Sequence, residues 1–185
     1  MIVNLPQTYL IGLCLLLVII AILVGRQLYK VRKDEMKLIK LEKEDSNTKE
    51  DSAKMYELAS VQLKKRLYPQ ATSTLKQALK KLDGEPEEAK ALIENALGFA
   101  LAAQNDFKSA VIHYKKALTA KADYPVALNN LGFAYQRLLK EDEAYKNYQE
   151  VLKLDPSNKT AISQIKRLER IVGKDKDQLL NKKGF

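Results

Sequence analysis

Hydrophobic positions change their rhythm along this chain. From Met1 to Gly25 no side chain is charged, and Leu5 to Val24 is a 20-residue run rich in Leu, Ile and Val. At 1.5 Å per residue such a run makes a helix of about 30 Å, the thickness of a bilayer core. Tyr9 stands near one end of it, where an aromatic side chain anchors at the interface. From 26 to 51 charges of both signs alternate around a helical stripe of Leu28, Val31 and Leu38, which predicts a charged helical stalk. From Ser52 onward apolar positions recur with a helical period in short paired segments separated by polar turns. Sliding 127–156 back by 34 residues lays Leu131 on Leu97, Gly132 on Gly98, Phe133 on Phe99, Ala144 on Ala110, Tyr148 on Tyr114 and Leu152 on Leu118. A mid-helix glycine costs roughly 1 kcal/mol relative to alanine. Its return in one register therefore predicts close helix contact, with Gly98 facing Ala110 and Gly132 facing Ala144.

A 34-residue period with small residues in each helix resembles the tetratricopeptide repeat, a helical hairpin that must stack on neighbours to bury its apolar face. The expected fold is all-α: an N-terminal transmembrane helix plus a three-repeat tetratricopeptide solenoid with a C-terminal capping helix. The expected divisions are an anchor over 1–25, a charged helical stalk over 26–51 and repeats over 52–158, at about 52–85, 91–124 and 125–158. A capping helix over 159–172 and a basic, disordered tail over 173–185 complete the chain. Repeat one carries Ala59 in place of the glycine, and about five extra residues around Gly84 and Pro86 read as a loop. Ala161, Ile162, Ile165, Leu168, Ile171 and Val172 form the apolar stripe of the cap, which is expected to end at Gly173.

Charge sets the topology. Arg26, Lys30, Arg32 and Lys33 follow the apolar run directly, and by the positive-inside rule everything after them stays on the cytoplasmic or stromal side. A cleavable signal peptide would place its basic residues before the run, so an uncleaved anchor is expected. The net charge of +9 divides as +1 over 26–51, +3 over 52–158 and +5 over 159–185. Lysines outnumber arginines 26 to 6, which argues against a phosphate-reading, nucleic-acid-binding protein.

Candidate chemistry is sparse. The single cysteine, Cys14, sits in the apolar run, so an intramolecular disulfide, a CxxC redox pair and a cysteine-rich zinc site are all excluded. The single histidine, His113, has no histidine or cysteine partner in the pattern and reads as a surface or packing residue. No phosphate loop, nucleophile elbow or paired-carboxylate arrangement is present. No enzyme activity, cofactor or metal is expected.

The resemblance to tetratricopeptide repeats implies a concave groove lined by the first helix of each repeat, at positions two, five, nine, twelve and thirteen when Gly98 and Gly132 are position eight. That places Leu92, Asn95, Phe99, Ala102 and Ala103 of repeat two, and Val126, Asn129, Phe133, Gln136 and Arg137 of repeat three, on the groove. The partner-binding candidates are Asn95, Phe99, Asn129, Phe133, Gln136 and Arg137, with the rings supplying apolar area and the amides clamping a peptide backbone. Common repeat consensus with partly packed rings is the competing reading. The lysine and asparagine pattern with which co-chaperones hold a chaperone C-terminus is not matched here.

The stretches GRQLYKVRKDE, YELASVQLKKRLYPQA, GEPEEAKALIENALGFA, ALNNLGFAYQ and LKLDPSNKTA, in that order, resemble one family over nearly the whole length. It is the family of small thylakoid tetratricopeptide proteins of cyanobacteria and algal plastids that assist photosystem I assembly. The resemblance implies a single-pass thylakoid protein with its C-terminal domain on the stromal or cytoplasmic side, binding photosystem I subunits or assembly intermediates. The lack of a transit peptide implies plastid encoding or a cyanobacterial source. A membrane-anchored translocation receptor and a regulatory adaptor for a membrane enzyme are the alternatives. The oligomeric state is not read from these residues.

Overall fold

The computed structural model describes residues 5–45, 51–82 and 84–182. Eight α-helices and no strands are present among them. They belong to two compact units, residues 1–48 and 49–185. The first unit is one helix, α1 (Leu5–Asp45). Its segment Tyr9–Lys37 is long and apolar enough to cross a membrane: it holds an 18-residue stretch with a mean hydropathy of 2.6, none of which is buried in protein. A helix that is apolar all round with no protein cover is suited to lipid. The stalk expected over 26–51 is helical as far as Asp45, residues 46–50 lie outside the described residues, and the next helix begins at Ser52 with Asp51 as its cap.

The second unit is a stack of helical hairpins: α2 (Ser52–Lys64) with α3 (Tyr68–Lys80), α4 (Glu87–Ala103) with α5 (Phe107–Ala120), and α6 (Pro125–Arg137) with α7 (Glu141–Leu154). The helix α8 (Lys159–Lys182) closes the stack against α7. It starts 34 residues after α6 and so takes the register of a further first helix. Its Ala161 and Leu168 are buried, as are Ala127 and Ala134 at the same register of α6.

Two helix boundaries differ from the sequence reading. Repeat two does not begin at 91, because α4 starts at Glu87 and is 17 residues long against 13 in α2 and α6. The extra residues read as loop are therefore largely an added helical turn. Pro86 starts it and the carboxylates of Glu87 and Glu88 complement the positive end of the helix. In the remaining loop the Ser52 hydroxyl donates to the Glu85 carboxylate, tying the loop to the start of α2. The last helix does not end at Gly173, and the backbone of 173–182 is helical rather than disordered. One interior glycine costs only about 1 kcal/mol, and no proline follows to break the helix.

The repeated glycines are sites of close approach. A Cβ on Gly98 would lie 2.7 Å from Cδ1 and Cε1 of Tyr114, and one on Gly132 would lie 2.9 Å from Cε1 and Cζ of Tyr148. The atoms nearest to both glycines therefore belong to tyrosine rings sixteen residues on. Repeat one confirms this by compensation. Ala59 stands in the glycine register, and sixteen residues later the tyrosine is replaced by the smaller, fully buried Leu75.

Each hairpin turns through the same backbone device. Arg66, Asn105 and Leu139 adopt φ of 61°, 65° and 59°. After each, the chain closes a pair of bonds: Arg66 N–H to Leu63 C=O and Leu67 N–H to Gln62 C=O, then Asn105 to Ala102 with Asp106 to Leu101, then Leu139 to Gln136 with Lys140 to Tyr135. These are Schellman caps, in which glycine normally fills the left-handed position. Leu139 fills it with a side chain that is 86% exposed. Leu139→Gly is expected to raise stability by about 1 kcal/mol, since a left-handed non-glycine residue costs roughly 1–2 kcal/mol and little packing is lost. Denaturant unfolding measures it, and a loss of stability would show that Leu139 contributes contacts its exposure does not suggest.

Candidate binding groove

The groove candidates fall into two groups. Phe99, Phe133 and Arg137 come together around a hollow of about 320 Å³, whose walls also include Ala102, Ala103, Phe107 and Tyr114. Phe99 meets Tyr68 edge to face at 6.5 Å, and Phe133 meets Phe107 in the same way at 6.2 Å. The guanidinium of Arg137 lies 5.1 Å from the centre of the Phe107 ring, a cation–π contact. Phe99 is nevertheless 45% and Phe133 48% exposed. Packing alone leaves half of each ring in water, and this separates them from the buried tyrosines behind.

The hollow exists because the repeats differ at one register. Gln136 in repeat three accepts a hydrogen bond from the Tyr148 hydroxyl at 2.9 Å, covering that ring. The corresponding residue in repeat two is Ala102, so the space in front of Tyr114 stays open. Burial pushes the phenols of both tyrosines above their ordinary value. Gln136 thus supports Tyr148, with its carbonyl oxygen already engaged.

The asparagines are drawn into the stack. Asn95 donates to the Tyr124 hydroxyl at 3.3 Å and accepts from Asn130 at 3.0 Å. Asn129 donates to Asn158 at 3.3 Å, one repeat later in the same register. Asn158 in turn accepts from the Ala161 N–H at 3.1 Å, at the start of α8. The recurring asparagine therefore braces each first helix against the residue that precedes the next. Among the described residues the Oδ1 of Asn129 is buried without a hydrogen-bond partner.

Sequence reasoning missed Tyr68 and Phe107, which sit on second helices and frame the groove rings from the side. It also missed a buried polar contact. His113 Nδ1 lies 2.6 Å from a carboxylate oxygen of Glu94, whose side chain is 6% exposed. A glutamate in the first-helix register next to apolar Ile93 was the only available signal. Among the described residues, no group of His, Cys, Asp and Glu side chains is arranged to hold a metal ion.

Comparison with known proteins gives a consistent picture. The family model for the tetratricopeptide repeat matches residues 125–158, and a second repeat model matches 98–138. A protein named ycf37 from Guillardia theta is 30% identical over 164 residues, which are 89% of this chain and 92% of that protein. The Arabidopsis thaliana tetratricopeptide repeat domain-containing protein PYG7, chloroplastic, is 29% identical over 158 residues, or 85% of this chain. This chain spans 52% of PYG7. Among solved structures, the second tetratricopeptide domain of human RPAP3, in complex with an HSP70 peptide, superposes with a TM-score of 0.57. The match has 23% identity and covers 62% of this chain and 92% of that one. At that identity the likeness concerns the fold. That fold is a protein-interaction scaffold, and the chloroplastic relative together with the apolar α1 points to a plastid membrane.

Proposed function

The chain belongs to the ycf37 family, and from that premise we propose that it is a thylakoid-tethered scaffold whose groove holds segments of photosystem I subunits or assembly intermediates. The observation that carries this reading is the pair of half-exposed rings, Phe99 and Phe133, around an open hollow. A large apolar surface rimmed by polar residues is the ordinary mark of a binding site. The photosystem assignment itself rests on the family resemblance of the anchor, stalk and repeats.

Phe99→Ala with Phe133→Ala tests the groove. The repeat stack is expected to keep its helical melt to within a few degrees, because neither ring is buried. Recovery of photosystem I subunits with the tagged protein from native membranes is expected to fall severalfold. Undiminished recovery with a normal melt would move the binding surface away from the groove.

Orientation follows from the four cations Arg26, Lys30, Arg32 and Lys33 after the apolar run. Protease added to the stromal face of intact thylakoids is expected to digest the repeats while leaving the lumen sealed. Digestion only after the lumen is opened would reverse the topology.

A further inference from the structure

We propose that the groove selects an acidic segment carrying one bulky apolar side chain, which enters the hollow between Phe99 and Phe133 while a neighbouring carboxylate pairs with Arg137. This inference rests on the groove reading above and specifies its ligand. The hollow, at about 320 Å³, lies at the small end of ligand pockets, so it takes one or two side chains and not a helix face. Its walls are mainly aromatic rings and the small Ala102 and Ala103, with Asn105, Asn130 and Arg137 as the polar residues and no carboxylate among them. Apolar area and depth therefore favour a leucine, methionine or phenylalanine.

The charge preference comes from the rim. Arg137 is exposed, places its guanidinium carbon 5.1 Å from the centre of the Phe107 ring, and has no carboxylate partner among the described residues. A guanidinium with no carboxylate partner keeps N–H groups available for a planar carboxylate. The wider groove agrees. In the register set by Gly98 and Gly132, the groove positions of α2, α4, α6 and α8 hold no Asp or Glu, whereas Lys64, Arg137, Arg167 and Arg170 are cations. The carboxylates of the repeats lie elsewhere, as in Glu87 and Glu88 at the start of α4 and Glu141, Asp142 and Glu143 at the start of α7. A basic concave face on a chain with many acidic residues is a complementary surface for an anionic partner.

The test uses the full chain in nanodiscs of neutral lipid and short fluorescent peptides with blocked ends, so that only side-chain carboxylates contribute. One peptide carries a central leucine flanked by glutamates, a second the same leucine flanked by lysines, and a third serine between glutamates. The glutamate-flanked leucine peptide is expected to bind roughly tenfold tighter than either of the others, the scale of one hydrogen bond to a charged group. Arg137→Glu is expected to reverse the preference between the two leucine peptides. Ala102→Gln, which copies the residue of repeat three and fills the hollow, is expected to bring the leucine peptide down to the serine one. Both variants are read only after a normal helical melt. Equal binding of all three peptides, no binding of the first, or indifference to Arg137→Glu would overturn the specificity. The groove reading would then stand or fall separately on the Phe99 and Phe133 double variant in native membranes.

Discussion

Ending the chain after Pro156 is expected to lower the stability of the repeat stack by roughly 3–5 kcal/mol, the largest effect of any change considered. Leu168, 2% exposed, contributes about 1.5–3 kcal/mol by its own burial, and Ala161 and Ile165 add to it. Losing α8 also removes the hydrogen bond from Tyr145 to Glu169 and uncovers the apolar side of α7. A loss of that size is a large fraction of the ~5–15 kcal/mol that holds a domain folded. For a domain of this size it corresponds to a fall in melting temperature on the order of 10 °C. Circular dichroism of the full and shortened chains in the same detergent measures it. Because each repeat contacts only its neighbours, the damage should begin at repeat three and leave α2 and α3 protected longest against hydrogen exchange. A melt that does not move would show that repeat three closes itself.

The second large effect is expected at the contact of Gly98 with Tyr114. Gly98→Ala gains about 1 kcal/mol of helix propensity. Against this, its methyl would sit 2.7 Å from two carbons of a ring that is 2% exposed, so the ring has to shift from its packed position. Overpacking of that kind costs typically 1–3 kcal/mol, so the net result is a loss. Tyr114→Leu alone should also destabilise, by leaving space against the glycine. The two changes together rebuild the Ala59 and Leu75 pair of repeat one, which the protein already packs with both side chains fully buried. The double variant is therefore expected to be more stable than the sum of the single ones by about 1 kcal/mol or more. Urea unfolding of the four proteins closes the cycle. Additive effects would mean that the ring and the glycine are not coupled. Gly132 with Tyr148 is a less clean site, because Tyr148→Leu also deletes the bond to Gln136.

The sequence by itself determined the all-helical class and the 34-residue hairpin, while the groove side of each first helix came from the resemblance to the repeat. It did so because helical periodicity and residue size are local properties, written into every turn of the chain. It also determined which stretch suits a bilayer, since twenty uncharged residues need no partner to be recognised. What only the tertiary structure decided were contacts between residues far apart in the chain. Gly98 was legible as a site of close approach, but that its nearest atoms belong to the Tyr114 ring depended on how α4 and α5 cross. Asn95 and Asn129 were legible as a recurring polar position beside the groove. Whether their amides faced a ligand or the next repeat depended on Tyr124 and Asn158, each 29 residues away. The hollow before Tyr114 arises from an absence, Ala102 where repeat three has Gln136, and an absence acquires a shape only when the surrounding walls are in place. The same holds for α8. Gly173 is a local weakness in a helix, and whether it ends the helix is set by a balance of about 1 kcal/mol that composition alone does not decide.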